Sequence, residues 1–211
     1  MNTMEVKNKF SVPIQKSKFK NFKKFYQTYE KDFLNSFSSK TIFPTHPLLG
    51  GDKNTHKSTH NSDAFTRLTK QTGLHIPLIK ELTTHIHTYI KNTFPKSYHS
   101  SKFSCEIWMN SIKEGAFTLT HSHKTPNPEE KWISGALYLK NADKAPIVFV
   151  NPLKNLFGAL KCPIIQKHEE YEIKVKDGDV IIFPQWLEHR TPPNYSNTER
   201  IVLTFNVLLG G

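Results

Sequence analysis

The sequence predicts a mainly β protein with a helical part: a jelly roll or barrel in the second half, packed against helices from the first half. From residue 103 onward, short runs of alternating apolar and polar residues are separated by turn residues, as in half-buried β-strands. Before residue 100, two stretches repeat apolar residues at three- and four-residue steps, as in amphipathic helices. The length of 211 residues suits one domain over 1–211, with a helical, basic support region over 1–100 and a β core over 101–211.

The composition is that of an ordinary globular protein. Hydrophobic residues make up 36% of the chain and aromatic residues 12%, enough to bury a sizeable core. Residues 1–7 lack the apolar run of a signal peptide, and no stretch of the sequence approaches the length of a membrane span. Two cysteines, Cys105 and Cys162, are too few for a disulfide scaffold. We therefore expect a reduced, cytoplasmic setting.

Positive charge is concentrated in the first half of the chain. The formal net charge is +11, and residues 1–100 hold sixteen Lys and Arg against six Asp and Glu. Residues 101–211 hold thirteen against twelve, so the β core is almost neutral. Such an asymmetry can mark a surface for an acidic partner or a nucleic acid. A solvated, Lys-rich face without a partner is the simpler interpretation, and the one that we favour.

Two helices are predicted in the first half, after an opening strand within residues 1–24. Aromatic and aliphatic residues recur at helical spacing between residues 18 and 37 and again between 74 and 94. Pro77 is compatible with the first turn of the second helix. His85 and His87 lie two residues apart on that helix and therefore on different faces, which argues against a shared metal.

Residues 44–63 are polar and without periodicity, which predicts a long loop. Its three histidines lack the spacing of a site and are expected at the surface: His46, His56 and His60. A second long connection, 151–169, follows one of the later strands. Both connections are expected to border the mouth of the barrel, where at least one would become ordered on ligand binding.

Seven strands are predicted after residue 103. They lie near residues 103–111, 116–123, 132–140, 146–150, 170–175, 179–184 and 200–208. Asp177-Gly178, between the fifth and the sixth, is a typical hairpin turn. Short strands at this spacing predict a jelly roll or a barrel.

Three histidines and an arginine form the most informative constellation of the sequence. His121 and His123 are two residues apart, so on a strand both side chains point to the same face. His189 follows far along the chain and would add a third ligand while leaving coordination positions open, as in a catalytic metal site. Arg200 presents a planar, permanently charged fork that matches a carboxylate. A metal beside a carboxylate clamp indicates a bidentate ligand such as a 2-oxo acid.

A wider set of motifs surrounds these residues. They are Trp108-x-Asn110, His121-x-His123, Ser134-Gly135-x-x-Tyr138, Asn151-Pro152, Gly178-Asp179, Phe183-Pro184, His189, Glu199-Arg200 and Phe205-Asn206. Together they resemble the 2-oxoglutarate/Fe(II)-dependent oxygenases, most closely a subgroup of 2OG-Fe(II) oxygenases of bacteria and bacteriophages. The resemblance covers residues from about 103 to 208, whereas the helical half matches only in general layout.

The resemblance implies a double-stranded β-helix and a dioxygenase that hydroxylates or demethylates its prime substrate. Such an enzyme uses Fe(II), 2-oxoglutarate and O2, with ascorbate in support, and releases succinate. The prime substrate stays open between a protein side chain, a nucleic acid and a small metabolite. A phage-encoded enzyme of this kind would work in the host cytoplasm.

By position, His121 and His189 match the two histidine ligands of the superfamily. His123 falls where most members carry Asp or Glu, and the subgroup makes it the third ligand. A neutral imidazole in place of a carboxylate raises the charge of the iron site by one, which should favour a dianionic cosubstrate. The alternative is that His123 does not ligate and the site is incomplete.

Arg200 matches the arginine that grips the distal carboxylate of 2-oxoglutarate. Strand alternation places Arg200 and Asn206 on the face that lines the pocket, with Val202 and Thr204 between them, while the intervening residues pack on the helices. Asn206 is therefore a candidate cosubstrate-binding residue.

Asn110 and Tyr138 are further candidates for binding 2-oxoglutarate. Asn110 has a position similar to that of a cosubstrate-binding Asn in nucleic-acid demethylases of the superfamily. Tyr138 would supply a hydroxyl, because Val202 stands where many relatives carry Ser or Thr. The alternative is ordinary hydrogen bonding of both side chains inside the barrel.

Two other functions compete with the oxygenase. A cupin-type metal enzyme would also use the spaced Gly115, His121-x-His123 and His189, but it leaves Arg200 without a role. A non-catalytic jelly-roll binding module explains the predicted fold and the basic half, but not the histidines. The three tryptophans are expected to pack rather than to bind substrate: Trp108, Trp132 and Trp186. Arg190 should point away from His189, to the surface or to the rim.

Overall fold

The computed structural model describes residues 11–37, 49–50, 55–60, 64–123, 133–141, 145–154 and 169–209. In these ranges the helices are α1 (Phe22–Asn35), α2 (Ala64–Thr72) and α3 (His75–Thr93), followed by a 3-10 turn at Lys96–Tyr98. The strands are β1 (Gln15–Lys18), β2 (Leu49–Gly50), β3 (His56–Ser58), β4 (Phe103–Ile112), β5 (Phe117–His121), β6 (Ile133–Lys140), β7 (Ile147–Val150), β8 (Glu170–Ile173), β9 (Asp179–Pro184), β10 (His189–Thr191) and β11 (Arg200–Leu209).

The strands form two antiparallel sheets. The larger sheet has the order β1-β9-β6-β11-β4-β3, and the smaller has the order β2-β5-β10-β7-β8. Strands that are distant in sequence are therefore neighbours in space, as in a jelly roll. The prediction of a mainly β fold packed against N-terminal helices is confirmed.

The helices cover one face of the larger sheet. Phe25 and Phe33 of α1 and the apolar stripe of α3 share a core with Ile201, Leu203 and Phe205 of β11. Alternate residues of β11 therefore face the helices, as strand periodicity requires. In the described part of the chain, no helix is long and apolar enough to span a membrane.

The opposite face of the larger sheet belongs to a second apolar cluster. Tyr138, Phe183 and Val202 pack there with Phe149 of the smaller sheet. Gly135 of β6 lies close to Phe205 of the first cluster. A Cβ on Gly135 would lie 2.2 Å from the ring of Phe205, so a larger residue would displace that ring.

The first half of the chain is more than a helical support. β1 pairs with β9, β2 with β5 and β3 with β4, so it contributes strands to both sheets. β2 and β3 lie within residues 44–63, so the expectation of an unstructured loop there is wrong in part. The rest of 44–63, and residues 155–168 of the second long connection, lie outside the described residues.

The expected surface position of His56 is wrong. His56 pairs with Ile112 across β3 and β4 and is only 2% exposed. His60 is half-buried, with its ring centroid 4.7 Å from that of Trp108. The pairing of β3 on the sheet turns this segment inward, and no sequence periodicity indicated that pairing. His46 lies outside the described residues.

The predicted hairpin at Asp177-Gly178 is also wrong. β8 and β9 belong to different sheets, so this turn passes the chain from one layer to the other. Gly178 has φ 78°, the left-handed conformation that favours glycine. Its N–H donates to Tyr138 O at 2.7 Å, and its carbonyl accepts from Phe19 N at 2.9 Å. The turn residues were recognised correctly, but long-range pairing decided where the strands went.

Candidate metal centre

Three histidines converge on the smaller sheet. His121 ends β5 and lies opposite His189 at the start of β10, while His123 follows β5 by two residues. One ring nitrogen from each of the three lies within 4.8 Å of the others. The ring centroids of His121 and His189 are 4.4 Å apart, and that of His123 is 5.3 Å and 5.0 Å from them. The cluster has the ligand type, number and compactness to hold a transition-metal ion.

Main-chain hydrogen bonds set the tautomers of two of these rings. Nδ1 of His121 is 2.7 Å from Leu119 O, and Nδ1 of His189 is 3.0 Å from Leu187 O. A carbonyl oxygen only accepts, so each Nδ1 carries the proton and each lone pair lies on Nε2. Metal-binding histidines commonly show this arrangement, in which the distal nitrogen is held by an acceptor.

For His123, the groups at Nδ1 are side chains instead of main-chain carbonyls. Its Nδ1 is 2.8 Å from Asn206 Oδ1 and 2.9 Å from Ser134 Oγ. Ser134 Oγ donates to the same Asn206 oxygen at 2.8 Å. The backbone N–H of His123 donates to Gln185 O at 2.9 Å, which ties the segment after β5 to the turn after β9.

The surroundings keep His189 neutral. Burial lowers the pKa of His189 well below its usual value, and the neighbouring His121 and His123 lower it further. The ring lies against Phe183, with centroids 4.7 Å apart. A neutral imidazole is the form that binds a metal, so the site is prepared for a cation. Within the described residues this cluster contains no carboxylate.

Arg200 begins β11 and is almost completely buried, at 1% exposure. Its Nη1 donates to Pro192 O at 3.4 Å. Asp179 pairs with Lys18 at 2.7 Å, and Glu199 accepts a hydrogen bond from Ser111.

Tyr138 and Asn110 flank β11 near Arg200. Both lie opposite Val202 in the sheet, one on each neighbouring strand. Burial raises the pKa of Tyr138, while the charge of Arg200 acts to lower it, so the phenol stays protonated and can donate a hydrogen bond. Asn110 Nδ2 donates to Thr204 Oγ1 at 3.1 Å. The described structure thus groups a guanidinium, a phenol and an amide on one sheet.

The structure also gives the surroundings of several other side chains. Asn206, a candidate for binding cosubstrate, directs its Oδ1 at His123, and Ser134 Oγ lies at the same ring nitrogen. Trp186 is 43% exposed, so the expectation that it packs is wrong, whereas Trp108 is buried beside His123, with ring centroids 5.9 Å apart. Trp132 lies outside the described residues. Arg190 points away from the cluster to Glu170, at 2.7 Å.

Solved structures of low sequence identity share this fold. A prolyl-4-hydroxylase from Pseudomonas putida has a TM-score of 0.56 and 12% identity, over 95% of both chains. A prolyl hydroxylase from Trichoplax adhaerens, in complex with a peptide fragment of hypoxia inducible factor, has a TM-score of 0.57 and 12% identity, over 92% of this chain and 83% of that one. HygX from Streptomyces hygroscopicus, with nickel, 2-oxoglutarate and hygromycin B bound, has a TM-score of 0.57 and 9% identity, over 93% and 83%.

The fold is therefore the double-stranded β-helix of the 2OG-Fe(II) oxygenases. Residues 106–206 match the family described as "Putative 2OG-Fe(II) oxygenase". By this match, residues 106–206 form a 2OG-Fe(II) oxygenase domain, and the solved structures share its fold. The match implies dependence on Fe(II) and 2-oxoglutarate. A comparison with curated protein sequences finds no match.

Proposed function

We propose that His121, His123 and His189 hold Fe(II) and that Arg200 anchors 2-oxoglutarate in a dioxygenase that hydroxylates or demethylates its prime substrate. The observation that carries the proposal is the convergence of three ring nitrogens within 4.8 Å, in rings whose Nδ1 atoms all face acceptors. That arrangement directs three Nε2 lone pairs toward one ion. Histidines that only form hydrogen bonds inside a barrel would not need to direct their Nε2 lone pairs to one point.

His121, His123 and His189 would hold Fe(II), which would supply the redox chemistry for oxidation of the prime substrate with 2-oxoglutarate and O2. The protein contributes the neutral imidazoles and the apolar wall around His189, which includes Phe149 and Phe183. Because imidazole ligands carry no negative charge, an ion held by them would keep its full charge. That charge would favour the dianion 2-oxoglutarate over a neutral ligand.

The distal carboxylate of 2-oxoglutarate is assigned to Arg200, with Tyr138 and Asn110 as supporting donors. A guanidinium binds a carboxylate through two parallel hydrogen bonds, which gives both affinity and orientation. Tyr138, protonated and 3% exposed, would donate a third. Arg200 starts β11 after the turn that follows β10 and is almost completely buried, so its guanidinium would meet the distal carboxylate inside the barrel.

The prime substrate is proposed to be a peptide side chain or a small molecule. These are the classes named for the Trichoplax adhaerens and Streptomyces hygroscopicus neighbours. Because the first half of the chain is basic, an acidic or nucleic-acid substrate also stays among the candidates. We further propose a cytoplasmic setting, with ascorbate as the supporting reductant. Trp186 is exposed and follows Gln185, whose carbonyl accepts a hydrogen bond from the backbone N–H of His123. We therefore propose that Trp186 lies at the rim of the site, where the prime substrate would enter.

The test is succinate formation from 2-oxoglutarate with Fe(II), O2 and ascorbate, screened over peptide, nucleic-acid and metabolite pools. The wild type should release succinate slowly without a prime substrate and faster with the correct pool. His189→Ala is the matched control and should release none above background. If both proteins release succinate equally, the proposed centre is not the catalytic one.

A cupin-type enzyme and a non-catalytic binding module make different predictions. A cupin has no need of 2-oxoglutarate, so Arg200→Lys should leave its activity unchanged. A binding module should carry no stoichiometric iron after anaerobic purification. Iron in the wild type and its loss in His121→Ala and His189→Ala would support the oxygenase centre over the module.

A further inference from the structure

The three rings of the metal centre are not held in the same way. Nδ1 of His121 faces the carbonyl of Leu119, and Nδ1 of His189 faces the carbonyl of Leu187. Each acceptor is a main-chain atom two residues earlier, so no side-chain substitution removes it. His123 differs, because its Nδ1 faces side chains from two other strands, Ser134 of β6 and Asn206 of β11.

We propose that Asn206, supported by Ser134, is a positioning residue that makes His123 a metal ligand through Nε2. This inference rests on the proposed function, because it takes His123 to be a ligand. Asn206 is 6% exposed and Ser134 is fully buried, so water does not easily replace either partner. The two side chains are opposite each other in the register of β11 and β6, which brings both to the His123 ring.

The hydrogen-bond pattern selects one tautomer. Asn206 Oδ1 accepts from Ser134 Oγ at 2.8 Å and lies 2.8 Å from His123 Nδ1. Since an amide oxygen cannot donate, Nδ1 must carry the proton and the lone pair must lie on Nε2. If the side-chain amide of Asn206 had the opposite orientation, its NH2 group would donate a hydrogen bond to Nδ1 of His123. The proton would then be on Nε2, where it blocks coordination.

Asn206 lies beside a candidate metal centre that has no negatively charged ligand within the described residues. The centre holds no carboxylate within the described residues, and the position after His121-x is occupied by a neutral imidazole. Acceptors on the distal nitrogen raise the basicity of a histidine ligand. Asn206 raises the basicity of His123 only weakly, because its side chain is neutral, whereas a carboxylate at position 206 would raise it strongly. Asn206→Asp would therefore return one negative charge to the centre without replacing a ligand.

The experiment uses the full chain and Co(II) as the probe, with the dissociation constant measured by competition titration. Asn206→Leu removes the acceptor at similar volume and should weaken Co(II) binding by about 10- to 100-fold, the range for removing partners of metal ligands. Asn206→Asp should bind Co(II) at least as tightly as the wild type. Ser134→Ala leaves the amide in place and should have the smaller effect.

A second readout separates positioning from a general loss of structure. Nitrogen NMR of the imidazoles in the metal-free protein reports which ring nitrogen carries the proton. His123 should be protonated on Nδ1 in the wild type and lose that preference in Asn206→Leu. His121 and His189 should keep their preference in both proteins, because main-chain carbonyls hold them. A change in all three rings would identify a folding defect and overturn the specific role of Asn206.

The outcomes distinguish this inference from the proposed function. If His123→Ala binds Co(II) as tightly as the wild type, His123 is not a ligand, and the proposed ligand set fails together with the inference. If His123→Ala weakens binding but Asn206→Leu does not, the ligand set stands and the positioning role is overturned. Protonation of His123 on Nε2 in the wild type would overturn the inference directly.

Discussion

Replacement of Arg200 by Lys tests the cosubstrate clamp. Arg200 is 1% exposed and starts β11 beside Tyr138. Lys keeps the positive charge but has one donor group in place of a planar fork, so one of two parallel hydrogen bonds to the distal carboxylate is lost. A hydrogen bond to a charged group contributes roughly 1.5–3 kcal/mol. We expect a loss of 2-oxoglutarate affinity of about 10- to 150-fold.

The assay is calorimetric titration of 2-oxoglutarate into the anaerobic, metal-loaded protein, with Ni(II) as an inert substitute for iron. Metal affinity itself should not change, because the guanidinium is not a ligand. Pyruvate is the matched control ligand, since it keeps the 2-oxo acid and lacks the distal carboxylate. It should bind the wild type weakly and bind Arg200→Lys about as weakly. Unchanged 2-oxoglutarate affinity in Arg200→Lys, or equal affinity of the wild type for pyruvate, would refute the clamp.

Three further predictions concern the centre and the fold. His123→Asp should still bind Fe(II), whereas His123→Ala should bind it much less well, as measured by iron content after anaerobic desalting; equal retention by both variants would remove His123 from the ligand set. Gly135→Ala should lower the free energy of unfolding by about 1–3 kcal/mol because its Cβ would meet the Phe205 ring, and Phe205→Leu in the same chain should recover part of that loss in urea titrations. Burial acts to raise the pKa of Asp179, but hydrogen bonds from Lys18 and the Lys176 backbone outweigh it and leave that pKa lowered. The stability that this carboxylate contributes is therefore present above its unfolded pKa of about 4 and is lost as the pH falls through the folded pKa. Asp179→Asn should flatten the decline of unfolding free energy as the pH falls below about 4, and an unchanged slope would contradict the assignment.

The sequence predicted the layered fold well because its elements have strong local periodicity. β4 and β11 were expected within two residues of their observed ends, and α3 was expected at 74–94 and lies at His75–Thr93. α2, with 9 residues, and β10, with 3 residues, were missed because each is short. β3 was missed because its pairing with β4 is a long-range event that leaves no local pattern.

The part of the candidate centre that depends on strand alternation could be predicted from the sequence. The spacing of His121 and His123 directed both to one face, and the structure brings His189 to the same place. The contact between Asn206 and His123 was not predictable, because it depends on how the end of β5 meets β11. Trp186 was expected to pack like most tryptophans, but its place in the turn between β9 and β10 leaves it exposed. Exposure in a turn is decided by tertiary structure, not by residue type.

The most direct test of the account is the coordination of Fe(II) in the anaerobic wild-type protein, measured by X-ray absorption spectroscopy. Three imidazole nitrogens at about 2.0–2.1 Å are predicted, from His121, His123 and His189. His123→Ala should show two under the same conditions. A wild-type spectrum with two imidazoles or fewer, or with no bound iron, would contradict the three-histidine centre.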